Sequence, residues 1–329
     1  MIISRAPLRM TLGGGGTDLP SYYERFGGFF LACALNKYIF ICLNSSAVDQ
    51  SVKLKYSEAE TELNVEVIRH PFFREALLKY GIRKGIELAS LSDIPSGTGM
   101  GSSGSFIVAL LAALRRFKDL PIDKQEIAEE AFEIEVLKLG FPVGKQDPYI
   151  AAYGGITAFE IEKNGEVKAK TLQVSDSFIQ AFYNQTLLFY TGLRRRSREV
   201  LVHQKEATEK EDRSMLDNLH LVKELGYRIE KAIISEDLQA LGTLMNKHWQ
   251  NKRKRSVSIT NSCIDGWYDL AIQNGALGGK LMGAGGGGFM IFVCPDENTR
   301  RKVSEAFRVT GLKEVDFRFD LNGIQIMNY

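Results

Sequence analysis

Residues 95–105, Pro-Ser-Gly-Thr-Gly-Met-Gly-Ser-Ser-Gly-Ser, constrain this chain more than any other stretch. Just before them, Ile86-Glu87-Leu88-Ala89-Ser90-Leu91-Ser92 alternates apolar and polar side chains, as a half-buried strand does. The apolar run 106–114 that follows predicts a helix. A strand, a glycine-serine loop and a helix start together make a phosphate cradle. Glycines let the backbone approach an anion, and the unpaired amides of the helix N-terminus point at it. Serine hydroxyls add hydrogen bonds to phosphate or one oxygen ligand to a magnesium ion. A serine-capped turn needs less than four glycines and four serines, with Met100 the one large side chain. The expected nucleotide-binding residues are Pro95, Gly97, Gly99, Gly101, Ser102, Ser103, Gly104 and Ser105.

Three familiar nucleotide sites do not fit. No Gly-Lys-Ser/Thr follows the glycines, so the loop is not a Walker A motif. Residues 99–104 match G-x-G-x-x-G, but a dinucleotide fold needs a strand after the helix. Here the helix ends near Phe117-Lys118-Asp119-Leu120-Pro121, and a second helix over 123–139 follows, capped by Asp123. A protein kinase needs His-Arg-Asp and Asp-Phe-Gly, whereas this chain has Asp316-Phe317-Arg318 and no His-Arg-Asp.

Pro95-x-x-x-Gly99-Met100-Gly101-Ser102-Ser103 resembles the signature loop of the GHMP small-molecule kinases, Pro-x-x-x-Gly-Leu-Gly-Ser-Ser-Ala. Met100 replaces the usual leucine and Gly104 the usual alanine. Ala6-Pro7-Leu8-Arg9 resembles the family's first motif, and Leu281-Met282-Gly283-Ala284-Gly285-Gly286-Gly287-Gly288 its third, so the motifs span nearly the whole chain in order. Arg9-Met10-Thr11-Leu12-Gly13-Gly14-Gly15-Gly16-Thr17-Asp18 and Gly144-Lys145-Gln146-Asp147 resemble the sugar-1-kinases of bacterial heptose synthesis within that family. The resemblance implies an α+β architecture, with an N-terminal domain like ribosomal protein S5 domain 2 and a ferredoxin-like C-terminal domain. It implies ATP and Mg2+ as cofactors. The implied reaction is phosphorylation of the anomeric C1 hydroxyl of a D-glycero-D-manno-heptose 7-phosphate to the 1,7-bisphosphate. A kinase for a free sugar such as fucose or galactose is the alternative, and a non-catalytic sugar or nucleotide sensor a second one.

The rest of the chain agrees with α+β. The Asn164-Gly165 pair predicts a hairpin between strands 156–162 and 167–172. Residues 28–44 are apolar enough for one long strand or a bent pair. After the strand 186–190, long helices run to residue 274, and strands return at 288–294, 315–319 and 324–326. A boundary near Thr191 is expected, giving domains 1–190 and 191–329. A net charge of +2 gives no field for nucleic acid or a membrane surface. Cys33, Cys42, Cys263 and Cys294 lack Cys-x-x-Cys spacing and no apolar stretch approaches about 18 residues, which predicts a cytoplasmic protein with structural thiols. The oligomeric state is left open, and the expected partner is a small sugar phosphate.

Phosphoryl transfer mainly needs positioning and charge neutralisation. Asp147 is the expected catalytic carboxylate, able to take the sugar hydroxyl's proton, although it would also suit a helix N-cap before Pro148. Arg9 supplies the matching positive charge. For magnesium, Ser102 or Ser103 offers the hydroxyl, and the acidic helix 123–139 the carboxylate. By resemblance Ser103 and Glu135 are the metal pair, with Glu133 the alternative. Asp18, behind the four-glycine run, is expected to bind sugar hydroxyls together with Gly15, Gly16, Thr17 and Lys145. Gly285 and Gly286 are expected to bring the C-terminal backbone to the cleft. Of the basic runs 194–198 and 252–255, Arg194 in the first is the expected residue for a second anion site, with Lys280 another candidate. The four histidines, His248 among them, show no metal spacing and receive no role.

Overall fold

The computed structural model describes residues 1–46, 48–193 and 198–328, the side chain of Arg198 excepted. In chain order the elements are β1 (Ile2–Gly13), α1 (Pro20–Phe26), β2 (Gly28–Ser45), β3 (Val52–Lys55), β4 (Ala59–Glu62), α2 (Pro71–Lys79), β5 (Ile86–Ser92), α3 (Ser102–Phe117), α4 (Lys124–Phe132), α5 (Gln146–Tyr153), β6 (Ile156–Ile161) and β7 (Val167–Thr171). There follow α6 (Asp176–Gln185), β8 (Thr186–Tyr190), α7 (Arg198–Glu209), α8 (Arg213–Ile234), α9 (Leu238–Lys252), α10 (Ser262–Gln273), β9 (Gly278–Leu281), β10 (Phe289–Val293), α11 (Glu297–Phe307), β11 (Lys313–Glu314) and β12 (Gln325–Asn328).

The first sheet has the order β12-β1-β2-β5-β3-β4, with β6 and β7 joined to β2. Residues 28–45 form one strand that changes partner midway, pairing β6 from Gly28 to Cys33 and β5 from Ile39 to Ser45. Its alternation explains how one sheet serves two cores. Phe30, Ala32 and Ala34 point to the helices α2–α5, while Phe29, Leu31, Cys33 and Leu35 point to the other core with α8 and the second sheet. Helix α3 is apolar all round, with residues 107–114 wholly buried, as a central helix must be. Helix α8 buries Met215, Leu219, Val222, Leu225, Ile229 and Ile233, the spacing of a one-faced helix.

The second sheet runs β11-β8-β10-β9, all antiparallel. Numbering its strands in sequence, the order is 4-1-3-2 with helices after the first and third, the ferredoxin-like arrangement expected. Sheet membership divides the chain elsewhere than at residue 191. β8 lies inside the second sheet, and β12 crosses back to pair with β1 in the first. The strand expected at 315–319 is also absent: only Lys313–Glu314 ladder with β8. Phe317 and Phe319 instead bury their rings against Phe182 and Tyr183. Among the described residues no helix is long and apolar enough to cross a membrane.

Candidate active site

The strand, loop and helix around residues 86–117 stand as expected. Gly97, Gly99 and Gly101 have φ of 77°, 76° and 78°, so every second residue of the loop is left-handed, a conformation side chains resist. Gly101 is the N-cap of α3 and no side chain caps it, which leaves the first-turn amides for an anion. Ser103 hydrogen-bonds to Glu135, whereas the buried hydroxyl of Ser102 has no partner among the described residues. One wall of the loop comes from the second unit. A Cβ on Gly99 would lie 2.9 Å from the Met282 carbonyl, and one on Gly283 would lie 2.6 Å from the Gly99 Cα.

These residues open onto a cleft of about 660 Å³. Its outer end is aromatic, with Tyr56, His70, Phe72 and Phe106 in the wall and the His70 and Phe106 rings 5.1 Å apart. At its inner end the Arg9 Nε and Nη2 atoms lie 2.8 and 2.7 Å from Asp147 Oδ1. Gln146 Nε2 donates to the same oxygen at 3.2 Å, which leaves Oδ2 without a hydrogen bond among the described residues. Arg9 also donates to the Gly99 carbonyl, tying the carboxylate to the phosphate loop. Helix α5 reaches this point because α3 carries no side chain at Gly104, where a Cβ would come within 2.6 Å of the Asp147 Cβ. Asp147 lies in the first turn of α5, with Lys145 as the N-cap, so it is not the capping aspartate.

Glu135 sits on a π-helical turn, Glu133–Lys138, that continues α4, so the single helix expected over 123–139 changes pitch. Burial pushes its carboxyl up to about 7, Asp147 adds to this and the Ser103 hydroxyl opposes it. Glu133, the alternative ligand, is engaged by Lys79 at 2.7 Å. A buried carboxylate, a serine hydroxyl bonded to it and a second, unpartnered hydroxyl nearby make a donor set that suits a hard cation.

Asp18 is buried and accepts from the Gly16 amide at 2.8 Å and the Gln146 amide at 3.2 Å. Burial raises its pKa, with the neighbouring Asp147 charge contributing, against those backbone bonds. Beyond it, Gln204 Nε2 donates to the Gly16 carbonyl at 2.8 Å and Gln204 Oε1 accepts from Arg255 Nη1 at 2.8 Å. The cleft then meets Lys280, Lys252, Arg255 and His248. The spacing of His248 and Lys252 continues the buried stripe of Leu241 and Met245 along α9, with Arg255 three residues past its end, a signal the sequence carried and a search for metal spacing missed.

Several expected residues lie elsewhere. Lys145 is turned away from the cleft, its Nζ 2.6 Å from Glu129 and 4.6 Å from the Phe132 ring centre, because α4 offers it a carboxylate. The Thr17 hydroxyl bonds the Gly14 and Phe29 carbonyls, and the Ser105 hydroxyl bonds the Pro7 carbonyl, so both are framework. Pro95 accepts from Thr98 at the base of the loop. Gly285 and Gly286 pack on Ile259, one residue group back from the cleft edge formed by Gly283 and Ala284. Arg194 lies outside the described residues.

The N-terminal domain family of the GHMP kinases matches residues 65–155, and their C-terminal family matches 229–311, together just over half of the chain. The chain belongs to the GHMP kinases. This kinase is 29% identical, over 98% of each chain, to the D-glycero-alpha-D-manno-heptose 7-phosphate kinase of Campylobacter jejuni. It is 26% identical to the L-fucokinase/L-fucose-1-P guanylyltransferase of Bacteroides fragilis, over 90% of this chain and 35% of that one. Two crystal structures share the fold. One is a D-glycero-D-manno-heptose 1-phosphate kinase from Bacteroides thetaiotaomicron, with TM-score 0.82, 22% identity and coverage of 100% and 99%. The other is Lactococcus lactis galactokinase complexed with galactose, with TM-score 0.76, 19% identity and coverage of 99% and 95%.

Proposed function

We propose that this GHMP kinase transfers the γ-phosphoryl group of ATP to the anomeric hydroxyl of D-glycero-D-manno-heptose 7-phosphate, yielding the 1,7-bisphosphate and ADP. The observation that carries the reaction type is Asp147, pinned by Arg9 through one oxygen and lying against Gly101 at the uncapped start of α3, its other oxygen without a hydrogen bond among the described residues. The acceptor is supported by the relative matched end to end.

In this reading the first-turn amides of α3 and the left-handed glycines bind the nucleotide phosphates, and the aromatic end of the cleft receives the base. Ser103 and Glu135 would hold magnesium, which when bound neutralises charge on the phosphate oxygens. Asp18 accepts hydrogen bonds from sugar hydroxyls. Asp147 takes the proton of the C1 hydroxyl as that oxygen bonds to phosphorus, and the bond from phosphorus to the ADP oxygen breaks. The Arg9 guanidinium holds the carboxylate in place and offsets negative charge gathering between the two reactants. We place the enzyme in the cytoplasm, where ATP is supplied.

Purified full-length protein, assayed for ADP release against heptose 7-phosphate, the free heptose, fucose and galactose, tests this reading. Phosphorus NMR then locates the new phosphate. Turnover of heptose 7-phosphate with an anomeric phosphate in the product is expected. Turnover confined to an unphosphorylated sugar overturns the acceptor and favours the fucokinase-like alternative.

A further inference from the structure

Four basic side chains gather on one wall of the cleft, and among the described residues none of them forms an ion pair with a carboxylate, Asp18 being the acid whose charge reaches Arg255. Lys252 and Lys280 are 6% and 3% exposed, and among the described residues neither pairs with a carboxylate. The Lys252 ammonium donates to the Leu281 and Gly283 carbonyls, and that of Lys280 to the Leu12 carbonyl at 3.0 Å. An ammonium has three donors, so each keeps at least one in hand. Arg255 donates Nε to Asn218 at 3.1 Å and Nη1 to Gln204, while its buried Nη2 has no partner among the described residues. His248 is 2% exposed, and among the described residues neither ring nitrogen has a side-chain partner. By contrast Arg253, in the same basic run, pairs with Asp265 at 2.9 Å.

Buried polar groups are ordinarily satisfied, and buried charges are paired. This cluster breaks both rules at once and opens into the cleft. We infer that Arg255, with His248 and Lys252, forms the subsite for the acceptor's own phosphate.

The inference rests on the reading that the acceptor is a sugar phosphate. Position along the wall assigns the role. From Asp147 the contacts pass to Gln146, then to Asp18, then to Gly16, and Gly16 meets Arg255, where a Cβ would lie 2.8 Å from Nη1. A sugar with its anomeric hydroxyl at Asp147 and its ring hydroxyls at Asp18 therefore directs its other end toward Arg255. Lys252 and Lys280 both feel the Arg9 charge, and Lys252 also reaches the Gly283 carbonyl beside Gly99, so the two lysines join the Arg255 end of the wall to the glycine-serine loop. Electrostatics agree. Burial, and then mutual repulsion, hold Lys252 well below and Lys280 at about 7, penalties a bound dianion relieves. The helix C-terminus at Lys252 partly offsets the clustered charge in the empty site.

The test compares wild type with Arg255→Gln and His248→Asn in two measurements. The first is kcat/KM for heptose 7-phosphate relative to the free heptose, with the KM for ATP recorded alongside. The second is calorimetric titration of heptose 7-phosphate and of inorganic phosphate without nucleotide. Arg255→Gln is expected to cut the preference for the phosphorylated sugar by about 10- to 100-fold and weaken phosphate binding similarly. A lesser loss is expected for His248→Asn. A wild type that prefers heptose 7-phosphate, joined to variants that keep the full preference, overturns the subsite and leaves the acceptor standing. A raised KM for ATP with unchanged sugar-phosphate binding also overturns it, assigning the cluster to the nucleotide. A wild type indifferent to the sugar's phosphate fails the acceptor reading itself. Circular dichroism and thermal melts accompany each variant. If Arg255→Gln does not fold, Arg255→Lys, which keeps the charge but loses the fork, carries the same comparison.

Discussion

Gly283 lies against Gly99, close enough that a Cβ on Gly283 would sit 2.6 Å from the Gly99 Cα. The glycine-serine loop before α3 is thus built by two units, one supplying its left-handed backbone and the other its back wall. Gly283 also has φ of 68°, so alanine there meets both strain and a clash. Gly283→Ala is expected to lower stability by about 1–3 kcal/mol and to raise the KM for ATP. Chemical denaturation and initial rates check this, and a variant with unchanged KM would mean the contact does not shape the loop.

Asp147→Asn keeps the size and most hydrogen bonds of the side chain but removes its basicity. Turnover should fall by roughly 10²–10⁴-fold, while nucleotide binding, measured by calorimetry, persists. Near-normal turnover would leave the Arg9–Asp147 pair a structural tie between β1 and α5.

Glu135→Gln and Ser103→Ala should each raise the Mg2+ concentration needed for half-maximal turnover, because each removes an oxygen donor from a hard-cation site. Melting temperatures measured without metal serve as the control. Both ligand assignments fall if magnesium dependence is unchanged in two folded variants.

Lys280 offers a test by pH. In the folded chain its ammonium loses its proton near 7, and in the unfolded chain near 10.5, because burial and the Arg9 and Arg255 charges depress it. Between these values the unfolded state binds more protons, so this group makes stability rise with pH. Lys280→Met should therefore raise Tm at pH 7, by about 2–4 °C, and the gain should shrink toward pH 10. A gain that is constant across that range would show that Lys280 does not titrate early.

Local chemistry was the legible part of this molecule. The strand 86–92, the loop and α3 follow from alternation, glycine and an apolar run, all within a few residues of each other. The Asn164-Gly165 hairpin follows from a turn requirement, met by Gly165 at φ of 87°. What was not legible depends on partners distant in sequence. Lys145 sits in a family-like motif, yet Glu129 and the ring of Phe132 draw it out of the cleft. The π turn under Glu135 leaves no mark in an acidic amphipathic pattern. Nor does the pattern at Gln325–Asn328 state which sheet it joins. His248 belongs to a helical stripe in which a polar residue replaces an apolar one, and only its place in the cleft wall, with ring nitrogens lacking a side-chain partner among the described residues, distinguishes it from an ordinary core histidine.

The return of β12 to the first sheet bears on how the protein is made. In the finished fold β12 covers the outer edge of β1, with Ile2 opposite Asn328 and Arg5 opposite Gln325. During synthesis β1 leaves the ribosome before the second unit and β12 after it, so β12 cannot cover that edge until the second unit has been translated. An open edge is a template for pairing with a neighbouring nascent chain. The two halves of the cleft are therefore joined in time as well as in space. The edge of the first sheet is covered only after the unit that walls its glycine-serine loop has already been produced.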